Sequence, residues 1–411
     1  MSAERRPSVV VLVLVVFFVV SLFTNTLGPL IPEIISTFHL SLTAAGLLPF
    51  AFFAAYGLSS IPAGLFIERS SEKQVMLASF ALALVAALSF ALFPRYAIAI
   101  GSLFAMGVAM AALQVAVNPL LRVAGGKEHF AFFSTLAQLV FGAASFVSPR
   151  LYTLLDSWIS LYWIFAACAL VMLVVIARAR LPRVERTEEE RAGTLAMHRS
   201  LLRSGVVPLF FVSIFMYVGS EQGIASWLSQ FLASAHGVDP KTTGASAASW
   251  FWGLMTLGCL VGLALLKLFD SRRVLIVNAL LAIALLAFGL FGKKDLAVIA
   301  LPATGLALSV MWPIIVSLAL NSVPAHHGTV SGILCTAIVG GAVVPLVVGR
   351  IGDRFGLRSG MCFVFLTLAW VLSVGFWAKP IVKNALLSEN EHRRGDGERD
   401  QDQKEDKDAR A

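Results

Sequence analysis

Long apolar runs separated by short polar breaks repeat along the chain from Val9 to Lys379. A helix needs roughly 20 mostly apolar residues to cross the hydrocarbon core of a bilayer. Runs of that kind fall at 8–31, 44–66, 74–93, 97–121, 129–149, 158–178, 205–232, 246–268, 274–292, 296–321, 328–349 and 360–379. The pattern predicts an all-α membrane protein with twelve transmembrane helices. Any one run would also suit the buried helix of a large soluble protein, but the whole set would not. A soluble fold of 411 residues needs amphipathic surface helices, and only the linker after Arg178 and the C-terminal tail have that polarity. Arg5 and Arg6 before the first run resemble the start of a signal peptide. That run is long, lacks a small-residue cleavage site and leads straight into more membrane sequence, so it is read as a retained first helix.

The hydrophilic stretch ARARLPRVERTEEERAGTLAMHRS, residues 177–200, separates six runs from six. It divides the chain into a six-helix bundle over 1–178, a cytoplasmic linker over 179–204, a second six-helix bundle over 205–380 and a tail over 381–411. Within the linker, ERTEEER predicts a short charged surface helix. The tail is mixed-charge and nearly free of apolar residues, which predicts disorder. Two six-helix halves joined by such a linker resemble the layout of the major facilitator superfamily, in which the substrate lies near the bilayer midplane between the halves.

Composition agrees with the pattern: 58% of residues are hydrophobic and 14% charged, against roughly 25% charged in soluble domains. The net charge of +8 would suit nucleic acid if it were gathered on one face. Instead Lys and Arg alternate between loops. Arg5, Arg6, Arg69, Lys73, Arg122, Lys127, the segment Arg178 to Arg203, Lys267, Arg272 and Arg273 fall on one side, and the intervening loops are poorer. By the positive-inside rule both termini and the linker are cytoplasmic, which predicts a multi-pass protein of a bacterial inner membrane with the lipid bilayer, and no nucleic acid, as its partner. The cysteines Cys168, Cys259, Cys335 and Cys362 are widely separated within the runs and read as packing residues, with no metal site expected.

Polar groups inside the runs carry the candidate chemistry, because an ionisable side chain at mid-membrane costs about 2.5–3.5 kcal/mol on insertion scales and normally faces a cavity or a partner. Glu221 is the clearest carboxylate of this kind, whereas Glu33 and Asp156 fall at run ends where water reaches them. Neutral amides are more numerous: Asn25, Gln114, Asn118, Gln138, Gln222, Gln230 and Asn321. Each suits helix-to-helix glue as well as solute binding. Gln114 and Asn118 are four apart and share one face of the fourth helix, where Pro119 removes a backbone hydrogen bond. Trp227, Trp252 and Trp312 lie inside second-half runs, away from the interface where tryptophan is usually enriched. A sugar exposes apolar C–H faces that stack on such rings, so indole plus amide suits a carbohydrate; bulky packing suits each ring alone.

Several segments resemble one family, the fucose, galactose and glucose symporters of the major facilitator superfamily. FAFFAAYGLSSIPAGLFIERSSEKQVML is similar to the family's second helix and following loop, and ALQVAVNPLL to its fourth-helix Leu-Glu-x-Ala-x-Asn-Pro signature. MYVGSEQGIASWL, SWFWGLMTLG, WPIIVSLAL and AIVGGAVVPLVVGRIGD are similar to its seventh, eighth, tenth and eleventh helices. The resemblance implies twelve helices and sugar transport coupled to an ion. It also implies an Asp on the first helix and a Glu on the fourth, but the corresponding positions are Gly28 and Gln114, which do not titrate. Of the fifth-helix pattern only STLAQLVFG around Gln138 remains, and the eighth-helix arginine position is Cys259. The superfamily's cytoplasmic loop signature is degraded to Gly64, Glu68, Arg69 and Lys73. A better copy, GRIGDRFGLR at 349–358, follows the eleventh helix and is read as a solvated helix-end charge cluster.

The leading expectation is a secondary active or facilitative transporter that moves a sugar or similar hydroxylated solute by alternating access, acts as a monomer and uses no cofactor. Its expected substrate-binding residues are Asn25, Gln114, Asn118, Gln138, Gln222, Trp227, Trp252 and Trp312. Glu221 is the candidate for a coupling proton, with Na+ the other ion considered. The same fold could move an amphipathic drug or cell-wall fragment, which the missing carboxylates and a largely apolar lining favour, or could have become a receptor or assembly factor that no longer transports. Enzymatic readings lack support: the chain has no P-loop, no Ser/His/Asp set and no metal-spaced His cluster, since His326 and His327 are adjacent in a loop.

Overall fold

The computed structural model describes residues 7–125, 130–155, 157–182, 195–203, 205–323 and 327–379. Asp156, the ERTEEER segment, His326, the tail and the side chains of Glu68, Arg69 and His327 lie outside the described residues. Among the described residues, twelve helical spans are long and apolar enough to cross a membrane, as the apolar runs predict. They are α1 (Pro7–Phe38), α2 (Leu42–Ile67), α3 (Glu72–Leu92), α4 (Tyr96–Gly125), α5 (Phe132–Thr153), α6 (Ser160–Arg178), α7 (Val206–His236), α8 (Pro240–Leu268), α9 (Ser271–Phe291), α10 (Lys294–Leu320), α11 (Thr329–Phe355) and α12 (Leu357–Trp377). A short helix, Leu195–Arg203, precedes α7. The first six spans share one buried apolar core and the last six a second.

Breaks within the spans follow from proline. Pro29 has no N–H for the carbonyl of Asn25, and α1 opens at Asn25 and Thr26 into two pieces, Pro7–Thr24 and Leu27–Phe38. The Thr24 and Thr26 hydroxyls bond back to the carbonyls of Val20 at 2.8 Å and Leu22 at 2.5 Å, which reinforces the bend. Pro313 likewise frees the carbonyl of Ser309 where α10 is interrupted, and the Cys259 thiol approaches that oxygen at 3.4 Å. A single π turn, Pro240–Gly244, opens α8; Asp239 caps it by accepting from the Lys241 and Thr242 amides at 3.1 and 3.2 Å. The Thr242 hydroxyl bound to the same carboxylate holds Asp239 below the ordinary carboxylate range.

Small residues set how closely the helices approach. Within the halves, a Cβ on Gly107 of α4 would run into the Phe52 carbonyl of α2, and one on Gly305 of α10 into the Phe251 carbonyl of α8. Between the halves, α1 packs on α7, α2 on α11 and α5 on α8. At the end of the bundle opposite the linker, called here the far end, a Cβ on Gly349 of α11 would run into the Leu42 carbonyl of α2.

At the linker end, Lys73 donates to the carbonyls of Ala177 and Ala179, each at 2.8 Å. An ammonium group at these last carbonyls caps α6 and meets the negative end of its dipole. Gly64 of the same loop signature has open space where a Cβ would stand.

Candidate functional site

The break in α1 faces the second half of the bundle. Thr24, Asn25, Leu27, Gly28 and Pro29 line one wall of a small cavity; Phe53 of α2, Gln222, Ala225 and Ser226 of α7 and Trp252 of α8 complete it. Four spans from both halves therefore meet there. Asn25 is 5% exposed and donates to the hydroxyls of Ser145 at 2.8 Å and Ser21 at 3.3 Å. Those two hydroxyls bond each other at 2.7 Å, and Thr26 bonds Ser148. This hydroxyl ladder ties α1 to α5 and consumes both N–H groups of Asn25. What Asn25 retains for a solute is its carbonyl oxygen.

Opposite, Gln222 is buried and spends one N–H on Glu221 Oε1 at 2.9 Å, which leaves its second N–H and its own oxygen. Tyr217, one turn earlier on α7, donates to Glu221 Oε2 at 2.8 Å. The carboxylate thus accepts one bond on each oxygen from a neutral donor, and each oxygen keeps a lone pair. Trp312 lies over Tyr217 with ring centroids 6.2 Å apart. Tyr217, Glu221 and Gln222 therefore run as one hydrogen-bonded line from Trp312 to the cavity wall.

The other expected residues sit elsewhere. Gln114 is half-buried and accepts from the Tyr56 hydroxyl of α2 at 2.5 Å. Asn118 is exposed and turns its amide back to the Gln114 carbonyl at 3.1 Å, so the shared face predicted for the pair is present but partly satisfied within its own helix. Gln138 is exposed on α5. Trp227 is fully buried in the second-half core, where its indole N–H donates to the Pro345 carbonyl at 2.9 Å. That bond makes it a packing residue, not part of the cavity wall. Glu33, read as water-accessible, has Oε2 buried without a hydrogen-bond partner.

Tyr56 and Tyr217 are the functional candidates that the sequence reading passes over. A signal existed, because a tyrosine inside a membrane span carries a hydroxyl that must find a partner. Gly28 is explained as well. A Cβ there would stand 2.5 Å from the Ala225 carbonyl oxygen of α7, so a side chain at this position would meet the other half of the bundle.

Comparison with known proteins places this geometry in a family. The Major Facilitator Superfamily profile matches residues 13–344. The glucose/galactose transporter of Brucella abortus is 31% identical over 389 residues, covering 87% of this chain and 91% of that protein. The L-fucose-proton symporter of Escherichia coli is 25% identical over 394 residues, covering 85% and 89%. Among solved structures, FucP in its outward conformation aligns at a TM-score of 0.65 with 22% identity, over 90% of this chain and 98% of that one. A bacterial homologue of the lysosomal transporter Spinster, inward-facing, aligns at 0.72 with 16% identity, over 92% and 98%. Twelve spans in two halves, a polar cavity at their junction and a family match spanning most of both halves agree, and the chain belongs to the major facilitator superfamily, as an integral, multi-pass membrane transporter and not an enzyme.

Proposed function

We propose that this transporter moves a sugar or similarly hydroxylated solute by alternating access, with the cavity between α1, α2, α7 and α8 as part of the binding site. The observation that carries the reading is the lining itself, which brings Thr24, Asn25, Gln222 and Ser226 together with Trp252. Neutral donors and acceptors beside an aromatic plane match alternating hydroxyl groups and apolar C–H faces. The relatives named as glucose/galactose transporter and L-fucose-proton symporter support the same substrate class. Gln114 and Asn118, with Gln138, are assigned to the route between this cavity and the linker end.

Coupling is assigned to a proton on Glu221. Each carboxylate oxygen accepts one bond from a neutral donor and keeps a lone pair that a proton can take. The alternation of basic loops supports cytoplasmic termini.

Thermal unfolding of the purified protein in detergent, against monosaccharides, disaccharides and lipophilic cations, tests the substrate class. A ligand at 100 times its Kd stabilises the folded state by about 2.7 kcal/mol. A hexose is expected to raise the Tm, with the half-saturating concentration rising at least about tenfold in Gln222→Ala, as for a lost hydrogen bond worth about 1.4 kcal/mol or more. Stabilisation by lipophilic cations and by no sugar would transfer the assignment to a transporter of amphipathic compounds.

A further inference from the structure

At the far end of the bundle two charges of the second half each sit on the end of a first-half helix. At the first contact, Asp353 of α11 accepts from the backbone amides of Leu42 at 2.7 Å and Thr43 at 2.8 Å, and from the Thr43 hydroxyl. These amides open α2. The first N–H groups of a helix have no partner within it, and here each of the first four is accounted for. Leu42 and Thr43 go to Asp353, Ala44 goes to the Ser41 hydroxyl at 3.1 Å, and Ala45 goes to the Ser41 carbonyl at 2.9 Å. Half of the N-terminal cap of α2 is therefore supplied by the opposite half of the protein.

The placement of Asp353 follows from sequence spacing. Gly349 lies one turn before it on α11, and a Cβ at Gly349 would run into the Leu42 carbonyl. The glycine brings α11 against the start of α2, and the residue four positions on then lies beneath the free amides. The segment GRIGDRFGLR, which reads as a solvated charge cluster, is tied by its aspartate to the other half.

The second contact has the opposite sign. Lys241 in the opening turn of α8 donates to the Leu155 carbonyl at 2.7 Å, just beyond the end of α5. The carboxylate meets the positive end of one helix dipole, and the ammonium group meets the negative end of another.

We propose that Asp353 and Lys241 form a charge-to-helix clasp that sets the balance between the far-end-closed and far-end-open states, making them positioning residues of the transport cycle. Both groups lie at the water-accessible end of the bundle, where Asp353 is exposed. On opening, the carboxylate, the ammonium group and the freed helix ends all pass to water, so the clasp can release and re-form in every cycle. Interactions of a charge with an exposed helix terminus change a population ratio by about two- to fivefold each. That size suits a gate better than a permanent lock.

The test is the distance between spin labels at His39→Cys and Thr243→Cys, two exposed far-end positions on opposite halves. It is measured by pulsed electron spin resonance on the substrate-free protein in lipid nanodiscs, with the four native cysteines replaced by alanine. Asp353→Asn and Lys241→Gln are each expected to raise the ratio of long to short distances by about two- to fivefold, with the two effects multiplying in the double variant. Arg350→Gln, a charge change on the same helix, is expected to leave the ratio alone. An unchanged distribution in a folded Asp353→Asn protein overturns the proposal. If that variant does not fold, Thr43→Val removes only the hydroxyl partner, and an unchanged ratio there overturns it equally.

Discussion

Glu221→Gln is expected to abolish pH-driven accumulation of solute in proteoliposomes while leaving solute exchange within about threefold of the unmodified protein. The substitution keeps the shape of the side chain and an oxygen that Tyr217 can bond. It replaces the other oxygen, which faces the Gln222 amide at 2.9 Å, with a second donor. Gln222 relieves that conflict by turning its own amide over, so the cavity wall stays closed. What cannot be replaced is a group that takes up and releases a proton. No carboxylate is among the residues lining the cavity, and Glu221 is joined to its wall through Gln222, so without Glu221 the link between proton movement and solute movement ends and the accumulation ratio falls to one. Exchange does not need that link. The measurement is uptake of labelled solute with and without an imposed pH gradient, paired with counterflow at equal pH. Accumulation that survives in Glu221→Gln would remove Glu221 from coupling and leave it the task of holding α7 through Tyr217.

Gly28→Ala is expected to lower transport turnover by about 5- to 150-fold by disfavouring the far-end-closed state. The added methyl would stand 2.5 Å from the Ala225 carbonyl oxygen and 3.3 Å from the carbon bonded to it. Both belong to backbone, which cannot turn aside as a side chain can. Relief requires α1 and α7 to separate, and these helices belong to opposite halves. Overpacking of this kind costs about 1–3 kcal/mol, or roughly a 5- to 150-fold change in the ratio of two states. Gln114→Glu is the instructive comparison, because the Tyr56 hydroxyl that donates to the Gln114 oxygen at 2.5 Å can donate to a carboxylate as well. A carboxylate at position 114 therefore fits this chain, whereas any side chain at position 28 meets backbone. Turnover in Gly28→Ala equal to that of the unmodified protein would mean that the contact opens freely and has no part in the cycle.

The spans were legible in the sequence because membrane insertion imposes a length and an apolarity on each helix separately. Glu221 stood out for the same reason: a charge within an apolar run is costly wherever its partners lie. The cavity was legible only in part. Asn25, Gln222 and Trp252 share no local pattern, and they meet because Pro29 breaks α1 opposite the middle of α7. Trp227 and Trp252 read alike along the chain, yet one is spent on the Pro345 carbonyl and the other lines the cavity. Their difference lies in helix rotation, which apolar composition leaves undetermined when a helix is hydrophobic on all sides. Asp353 shows the same limit at a helix end. A carboxylate beside an arginine reads as a solvated pair until the start of α2 is set against it.

The measurement that bears most directly on the account is uptake of labelled glucose, galactose and fucose by the purified protein in proteoliposomes, with an inwardly directed proton gradient imposed or collapsed. Saturable uptake of at least one of these sugars, rising above equilibrium only while the gradient lasts, is the result predicted here. Saturable transport of a lipophilic cation under the same gradient, with none of the three sugars carried, would contradict it.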